Sequence, residues 1–566
     1  MRVRSSILSF AICLSAWAQP YQVKIENNVQ ATMRDGVMLM ADVYRPLADG
    51  KFPVLLQRTP YNRAGGSGTH VEVASHGYVV IIQDTRGRYQ SQGTFYPFRF
   101  ESQDGYDTVE WAASLPYANG QVGMFGGSYV GATQMLASIA KPPHLISIFP
   151  YVTASEYYEG WTYQSGALMQ WFTSSWATGL AVDTVSRQVG ETGDPKSWVT
   201  QLPIEAYRMV ALPGAGVTPY FRDWVAHERD DEYWRPWKIS DHYGEMTVKA
   251  LHSGGWHDLF LKGTIQNFMG MRRASPAAAG QRLLLGPWGH VYTSPEGKIG
   301  DVVFGKQAVL DFNQILLSWA DYSLKSVQNE YATGAPVRIF VMGDNVWRDE
   351  QEFPLARTRY TNYYLHPGAL STAAPAADET PQAYEYDPAN AVPTIGGRLC
   401  CSGQLPGGPF DQQPNEGRSD VLVFSTPPLE KDLEVTGFIH AKIYAESSAV
   451  DTDFTAMLTD VEPSGYSRLL TDGIVRARYR NSTTKAEPIE PGKIYEYDID
   501  LWATSNVFKA GHRIRLAISS SNFPRFDRNL NTGEAALGAT RMLKAEQKLY
   551  HDAKNPSALV LPVIPR

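Results

Sequence analysis

The 566-residue sequence predicts an α/β protein, in which a mostly parallel sheet covered by helices is interrupted by a helical insertion and followed by a β-sandwich. Three observations carry that prediction. Residues 22–150 alternate short apolar runs with runs of helical spacing, the pattern of parallel strands joined by covering helices. Residues 151–245 lose the strand signal and turn rich in Trp and Tyr. From residue 336 onward, short extended runs between turn residues take over, as in a sandwich.

Each element can be justified in order. Residues 1–18 of MRVRSSILSFAICLSAWAQP read as an export leader: Arg2 and Arg4 supply the charge, Ile7 to Leu14 the apolar segment, and Ala16-Trp17-Ala18 the small-x-small site cut before Gln19. The apolar segment is too short to span a bilayer, and Cys13 lacks the small neighbours of a lipid-bearing cysteine. The mature chain is expected outside the cytoplasm, periplasmic or extracellular, with no membrane insertion. MRDGVMLMADVYRP carries the Asp35-Gly36 turn of a hairpin. FPVLLQRT, YVVIIQDTRG and VGMFGG are buried strands ending in polar or glycine residues, and DGYDTVEWAASL and YVGATQMLASIA are helices between and after them.

The insertion, with helical runs such as EGWTYQSGALMQWFTSSWATGL, is expected to roof the sheet. VKALHSGGWHD and RLLLGPWGH then resume the strand pattern, and LDFNQILLSWADYSL closes it with a helix. One catalytic unit is therefore expected over 19–150 and 246–335, with 151–245 as a helical cap. VRIFVM, TNYYLH, VLVFST, EVTGFIHAKIYAES, TDFTAMLTDV, YEYDIDLW and HRIRLAISSS are the strands of a sandwich over 336–566. The Gly/Pro-rich stretch 373–417 is its long connection.

Composition narrows the function classes. An apolar fraction of 43% and a charged fraction of 19% describe a globular chain, and a net charge of −7 without a basic run argues against nucleic acid or an anionic membrane as partner. The 14 Trp, 31 Tyr and 22 Phe suit large β-rich cores as well as the binding of rings. Once the leader is removed only Cys400 and Cys401 remain. Adjacent cysteines join only through an eight-membered ring, so two thiols and a vicinal disulfide both stay open, and neither implies a metal. His252, His257 and Asp258 lack the spacing of a ligand set such as HExxH. No cofactor is called for, and assembly into a homo-oligomer is left open.

The chemistry is expected at VGMFGGSYVGATQ. A serine hydroxyl becomes a nucleophile when a base takes its proton and donors hold the oxyanion. A tight strand-to-helix turn lifts the hydroxyl above the sheet and aims the first helical N–H groups at the developing charge. Small residues must flank the serine where strand and helix cross. Gly126 meets that need before Ser128, but the usual G-x-S-x-G spacing finds Val130 after it, with Gly131 one position late. The partners follow in the order Ser, acid, His: Asp258 ends LHSGGWHD and His290 ends LLLGPWGH, each past a later strand.

With these residues the sequence resembles a known family, the cocaine esterase-like hydrolases, together with the related α-amino acid ester hydrolases and Xaa-Pro dipeptidyl-peptidases. The resemblance rests on MRDGVMLMADVYRP, RTPYNR, QDTRGRYQSQG, DGYDTVEWAASLP, GGSYVG, GGWHD, GPWGH, GPFDQQP and DTDFTAMLTDVEPSGYSRLLTDGIVRARYR, and it covers the mature chain. It implies an α/β-hydrolase fold with a helical cap and a jelly-roll-like C-terminal β-sandwich. The family's elbow reads G-x-S-Y-x-G, which accommodates Val130. The resemblance further implies Ser128 as nucleophile, Asp258 as the acid that orients the base, and His290 as the base. It assigns the oxyanion hole to the Tyr61 hydroxyl and the Tyr129 backbone N–H.

The expected substrate is a small acyl ester or amide. The α-amino acid ester hydrolases hold an ammonium group with carboxylates, some just after the catalytic acid, whereas here Asp258 is followed by Leu259, Phe260 and Leu261. Glu156 and Glu159 in the roof are the remaining candidates for an amine, with solvated helix faces as their plainer role. Phe260, with Trp161, Trp171 and Trp176, is expected to line an apolar acyl pocket. Two alternatives stand beside the esterase: a dipeptidyl-peptidase or α-amino acid ester hydrolase, and a non-catalytic protein gripping glycans with its β domain.

Overall fold

The computed structural model describes residues 20–185, 199–206, 217–291, 294–401 and 403–566. The leader read over residues 1–18 lies outside them, as do residues 186–198 and 207–216 of the helical insertion.

A ten-stranded sheet organises the first part of the chain. Across the sheet the order is Val23–Thr32, Met38–Pro46, Val79–Asp84, Phe52–Thr59, Ala118–Gly127, Leu145–Tyr151, Lys249–Gly255, Gln281–Gly286, Val337–Val341 and Val346–Glu350. All strands from Val79–Asp84 across to Val337–Val341 run parallel, and the outer pairings are antiparallel. Every residue of Val79–Asp84 and of Gln281–Gly286 is buried. That is why these strands read as unbroken apolar runs: helices cover both faces.

The strand order places the site. From Phe52–Thr59 the chain crosses to Val79–Asp84 on one side, then returns to build Ala118–Gly127 on the other. The winding direction reverses between Phe52–Thr59 and Ala118–Gly127, and crevices open beyond the carboxyl ends of strands at such a reversal. Tyr61 follows the first of these strands and Ser128 the second.

The segment between Tyr151 and Lys249 contains the helices Gln170–Val185 and Pro219–Ala226, short 3-10 turns and a two-residue ladder. Its large aromatic side chains, Trp161, Trp171, Trp176, Trp224 and Trp234 among them, join the sheet's residues in one apolar core.

The C-terminal part is β-rich. Its eleven-stranded sheet pairs antiparallel except where Ala369–Ser371 meets Leu422–Ser425. The long strand Leu433–Ser447 pairs with Tyr495–Phe508, Ala545–Tyr550 and Ala558–Ile564. Here burial alternates along strands such as Gln382–Tyr386, as it must when one face is wet.

One expectation is corrected. VRIFVM, read as the first strand of the sandwich, forms Val337–Val341, which pairs in parallel with Gln281–Gly286 and turns back antiparallel as Val346–Glu350. The central sheet therefore runs to Glu350 rather than ending at residue 335. Ile339 and Phe340 share one buried cluster with Trp256 and Phe268 and with Trp502 and Val507 of the C-terminal part, so the two sheets share a core.

Candidate active site

Ser128 sits between the strand Ala118–Gly127 and the helix Tyr129–Ile139 with φ 60° and ψ −127°. A residue with a side chain held in that region stores on the order of 1–3 kcal/mol, so the surroundings must hold it there. They do so by hydrogen bonds. The Ser128 N–H donates to the Tyr151 carbonyl at 3.0 Å. Its own carbonyl accepts from the N–H groups of Gly131 (2.9 Å) and Ala132 (3.0 Å) and from Thr153 Oγ1 (2.8 Å).

Crowding at this turn explains the spacing of the glycines. A Cβ on Gly126 would lie 2.2 Å from Cγ1 of Val130, so Val130 occupies the room that glycine leaves before the serine. A Cβ on Gly131 would lie 2.8 Å from Cβ of Thr153, where the helix crosses the next strand's end. The small residue after Ser128 is thus needed at 131, and 130 can be a valine.

Asp258 and His290 stand past the ends of adjacent parallel strands, Lys249–Gly255 and Gln281–Gly286. Two backbone bonds stitch the loops that follow: Trp256 N–H to the Gly286 carbonyl and His257 N–H to the Trp288 carbonyl, both at 2.9 Å. Asp258 is fully buried. Its Oδ2 accepts from the Phe260 N–H at 3.1 Å, and its Oδ1 meets Nδ1 of His290 at 2.7 Å. With Nδ1 held by a carboxylate, Nε2 is the nitrogen left to exchange a proton in the cleft.

Tyr61 brings the third element. The residue is 42% exposed, and its hydroxyl meets Trp176 and Ser128. Burial pushes the phenol up to about 12, with hydrogen bonds to Trp176 and Ser128 opposing part of the rise. At neutral pH the hydroxyl therefore keeps its proton. Trp176 Nε1 donates to the Tyr61 oxygen at 2.8 Å, so the phenol's own hydrogen stays available for another acceptor.

Tyr129 opens the helix after Ser128, so its N–H has no carbonyl one turn back to pair with. Its side chain is pinned beneath. The phenol donates to Glu101 Oε1 at 2.8 Å and accepts from the Phe98 N–H at 3.0 Å, while Arg58 clamps the other oxygen of Glu101 at 2.7 Å. Burial, then the nearby Glu101 charge, raises the Tyr129 phenol well above its ordinary value.

Ser128, His290 and Tyr61 open on one cleft of about 330 Å³, completed by Ser175, Trp176, Gly179, Leu180 and Cys401. Positions 175, 176, 179 and 180 share one face of the helix Gln170–Val185. Trp176 lines the cleft. Phe260, Trp161 and Trp171 do not: all three are buried behind it. Phe260 stacks on Trp161 at 4.4 Å and presents its edge to the His290 ring at 5.3 Å, fixing the imidazole rather than bounding the cleft.

Sequence reasoning left out Ser175, Gly179, Leu180 and Cys401. The first three follow from Trp176 by helical periodicity once the phase of the helix is known. Cys401 arrives from the C-terminal part, and Cys400 and Cys401 form a vicinal disulfide. Glu156 and Glu159 are engaged elsewhere, with Lys238 and Lys262 respectively.

Comparisons with known proteins identify the family. Residues 35–292 match the family model described as X-Pro dipeptidyl-peptidase (S15 family), and residues 329–560 match the X-Pro dipeptidyl-peptidase C-terminal non-catalytic domain. A cocaine esterase of Rhodococcus sp. (strain MB1 Bresler) is 36% identical over 96% of this chain and 99% of its own length. Among solved structures, an aminopeptidase from a marine sediment Thaumarchaeota archaeon superposes with a TM-score of 0.86 at 26% identity, covering 96% of this chain and 97% of that one. An α-amino acid ester hydrolase superposes with a TM-score of 0.80 at 23% identity, covering 99% and 100% of the two chains, and bears on the fold alone. The chain belongs to the cocaine esterase-like hydrolases, relatives of the X-Pro dipeptidyl-peptidases, and is an enzyme of the serine ester hydrolase kind.

Proposed function

We propose that the chain is an exported esterase for neutral acyl groups, working through an acyl-enzyme on Ser128. The Ser128 hydroxyl attacks the acyl carbon as His290 Nε2 takes its proton, and Asp258 holds the imidazole and balances its charge. The tetrahedral oxyanion accepts hydrogen bonds from the Tyr61 hydroxyl and the Tyr129 N–H. Collapse expels the alcohol with the proton from His290. Water then repeats the sequence and releases the acid. The helical segment 151–245 would serve as the cap and the C-terminal part as a jelly-roll-like sandwich whose loop reaches the cleft. Export is supported by the leader-like residues 1–18.

One observation carries the choice of substrate: among the described residues, the cleft around Ser128 has no carboxylate in its lining. Three acids of the roof are already paired, Asp183 with Arg88 at 2.7 Å, Glu156 with Lys238 and Glu159 with Lys262. Leu259, Phe260 and Leu261, after Asp258, are fully buried and apolar. A substrate ammonium would lose its water there and gain no counter-charge, which favours acyl groups without one.

A dipeptidyl-peptidase is the second activity to test, because the S15 family model matches residues 35–292. Specificity constants for phenylacetyl and phenylglycyl esters of one alcohol, with Ala-Pro-anilide alongside, separate the possibilities. The neutral ester should be the best substrate. A higher specificity constant for the aminoacyl ester or for the anilide would overturn the neutral-acyl assignment.

A further inference from the structure

The vicinal disulfide is the feature of the cleft that ester cleavage does not use. Cys401 is exposed and lines the cleft beside Ser128 and His290, while Cys400 is buried against the core beneath. The two sulfurs and a ring nitrogen of His290 lie within 4.8 Å of one another. Since Nδ1 of His290 is bonded to Asp258, Nε2 is the nitrogen free to meet a ligand there.

The loop that carries the pair is fixed at its base. Gly397 and Gly408 exchange N–H to carbonyl bonds, both 2.8 Å. The Arg398 guanidinium donates to the Asp472 carbonyl (3.1 Å), the Leu501 carbonyl (3.2 Å) and Thr471 Oγ1. Opening a bond between adjacent residues frees almost no chain, so reduction should leave the loop in place. It would set two thiols beside an imidazole on a rigid support.

We propose that reduced Cys400 and Cys401, with His290, form a site for a soft divalent cation of the zinc class, and that filling it switches ester cleavage off. Two thiolates and one imidazole are a common zinc ligand set, with water as fourth ligand. Around a tetrahedral zinc the sulfurs stand about 3.8 Å apart, given Zn–S bonds of about 2.3 Å, so sulfurs bonded to each other cannot serve together. The disulfide therefore excludes the metal and reduction admits it. A phosphine carries out that step: it cleaves the S–S bond and leaves as its oxide, water supplying the oxygen and the two thiol protons. The cation then displaces the thiol protons. Coordination at His290 removes the nitrogen that must accept the Ser128 proton, so the inhibition rests on the role proposed for His290.

The experiment uses the full mature chain, oxidised or reduced with a phosphine that is then removed, and Co²⁺ and Zn²⁺ as probes. Reduced protein should retain about one Co²⁺ per chain with a thiolate-to-cobalt absorption band, as expected for a single built site. Zn²⁺ at that stoichiometry should lower its ester cleavage roughly 10²-fold, the scale of a lost general base, and EDTA should restore it. Oxidised protein and the Cys400→Ser/Cys401→Ser variant, each compared with its own metal-free rate, should show neither effect. Reduced Ser128→Ala should still give the cobalt band, so the site is read even if the esterase assignment fails. Reduced His290→Ala should bind Co²⁺ roughly tenfold more weakly or worse. Absence of the band in reduced wild type, metal retention without loss of activity, unweakened binding by His290→Ala, or equal inhibition of oxidised and reduced protein would overturn the proposal.

Discussion

Trp176 Nε1 donates a hydrogen bond to the Tyr61 hydroxyl at 2.8 Å, which leaves the phenol's proton free beside Ser128. The indole fills an acceptor site on the phenol oxygen and so orients the O–H toward the cleft. Removing the donor, Tyr61→Phe, should lower kcat roughly 10²- to 10³-fold with KM little changed, the cost of losing one oxyanion donor. Trp176→Phe keeps a ring in the cleft but frees the phenol to rotate, and kcat should fall by a smaller factor. Steady-state kinetics on one neutral ester tests both. A Trp176→Phe effect confined to KM would make the indole a wall and nothing more.

Gly179 lies on the cleft face of the helix Gln170–Val185, and a Cβ there would meet nothing within 4 Å. A mid-helix glycine costs about 1 kcal/mol relative to alanine, so the empty space is maintained against helix propensity. Gly179→Ala should raise the unfolding free energy by about that amount, while Gly179→Leu should select against bulky acyl groups. The ratio of kcat/KM for acetyl over benzoyl esters should rise in Gly179→Leu. An unchanged ratio would place the acyl group elsewhere in the cleft.

His252 and His257 give the fold a pH dependence of definite sign. Burial holds His252 down to about 4, against the weaker opposing effect of the hydrogen bond its Nε2 donates to Gln281 Oε1. Burial, helped by the charges of Arg398 and Arg468, holds His257 down to about 3. The unfolded chain takes up both protons below about pH 6.5. Folded stability is then fully present above that pH and declines as the pH falls toward these depressed values, by up to about 1.4 kcal/mol per pH unit per histidine. Urea midpoints between pH 6.5 and 5 should fall with pH, and more gently in His252→Gln. A flat profile would contradict buried neutral imidazoles.

How far the sequence reveals this site depends on whether a feature is local. The serine turn, the acid and the base each close a strand-like run, and their order along the chain is enough to propose them. Gly131 was legible as the late small residue, although its reason, contact with Thr153, lies just past the end of the neighbouring strand Leu145–Tyr151. The pocket aromatics were harder because composition does not carry phase. Trp171 and Trp176 are five residues apart on one helix, about 140° around its axis, so the two cannot both face the cleft. Val337–Val341 has the apolar pattern of either sheet, and only its pairing with Gln281–Gly286 assigns it. Cys401 reaches the cleft from a Gly/Pro-rich connection whose path no local pattern records.

The central claim is that Ser128 carries the acyl group, and intact-protein mass spectrometry after treatment with a fluorophosphonate tests it most directly. One adduct per chain should form, map to the peptide containing Ser128, and be absent in Ser128→Ala. That variant should also lose on the order of 10⁴-fold or more in kcat with its urea midpoint unchanged. An adduct elsewhere, or a Ser128→Ala protein that cleaves esters at close to the wild-type rate, would contradict the account.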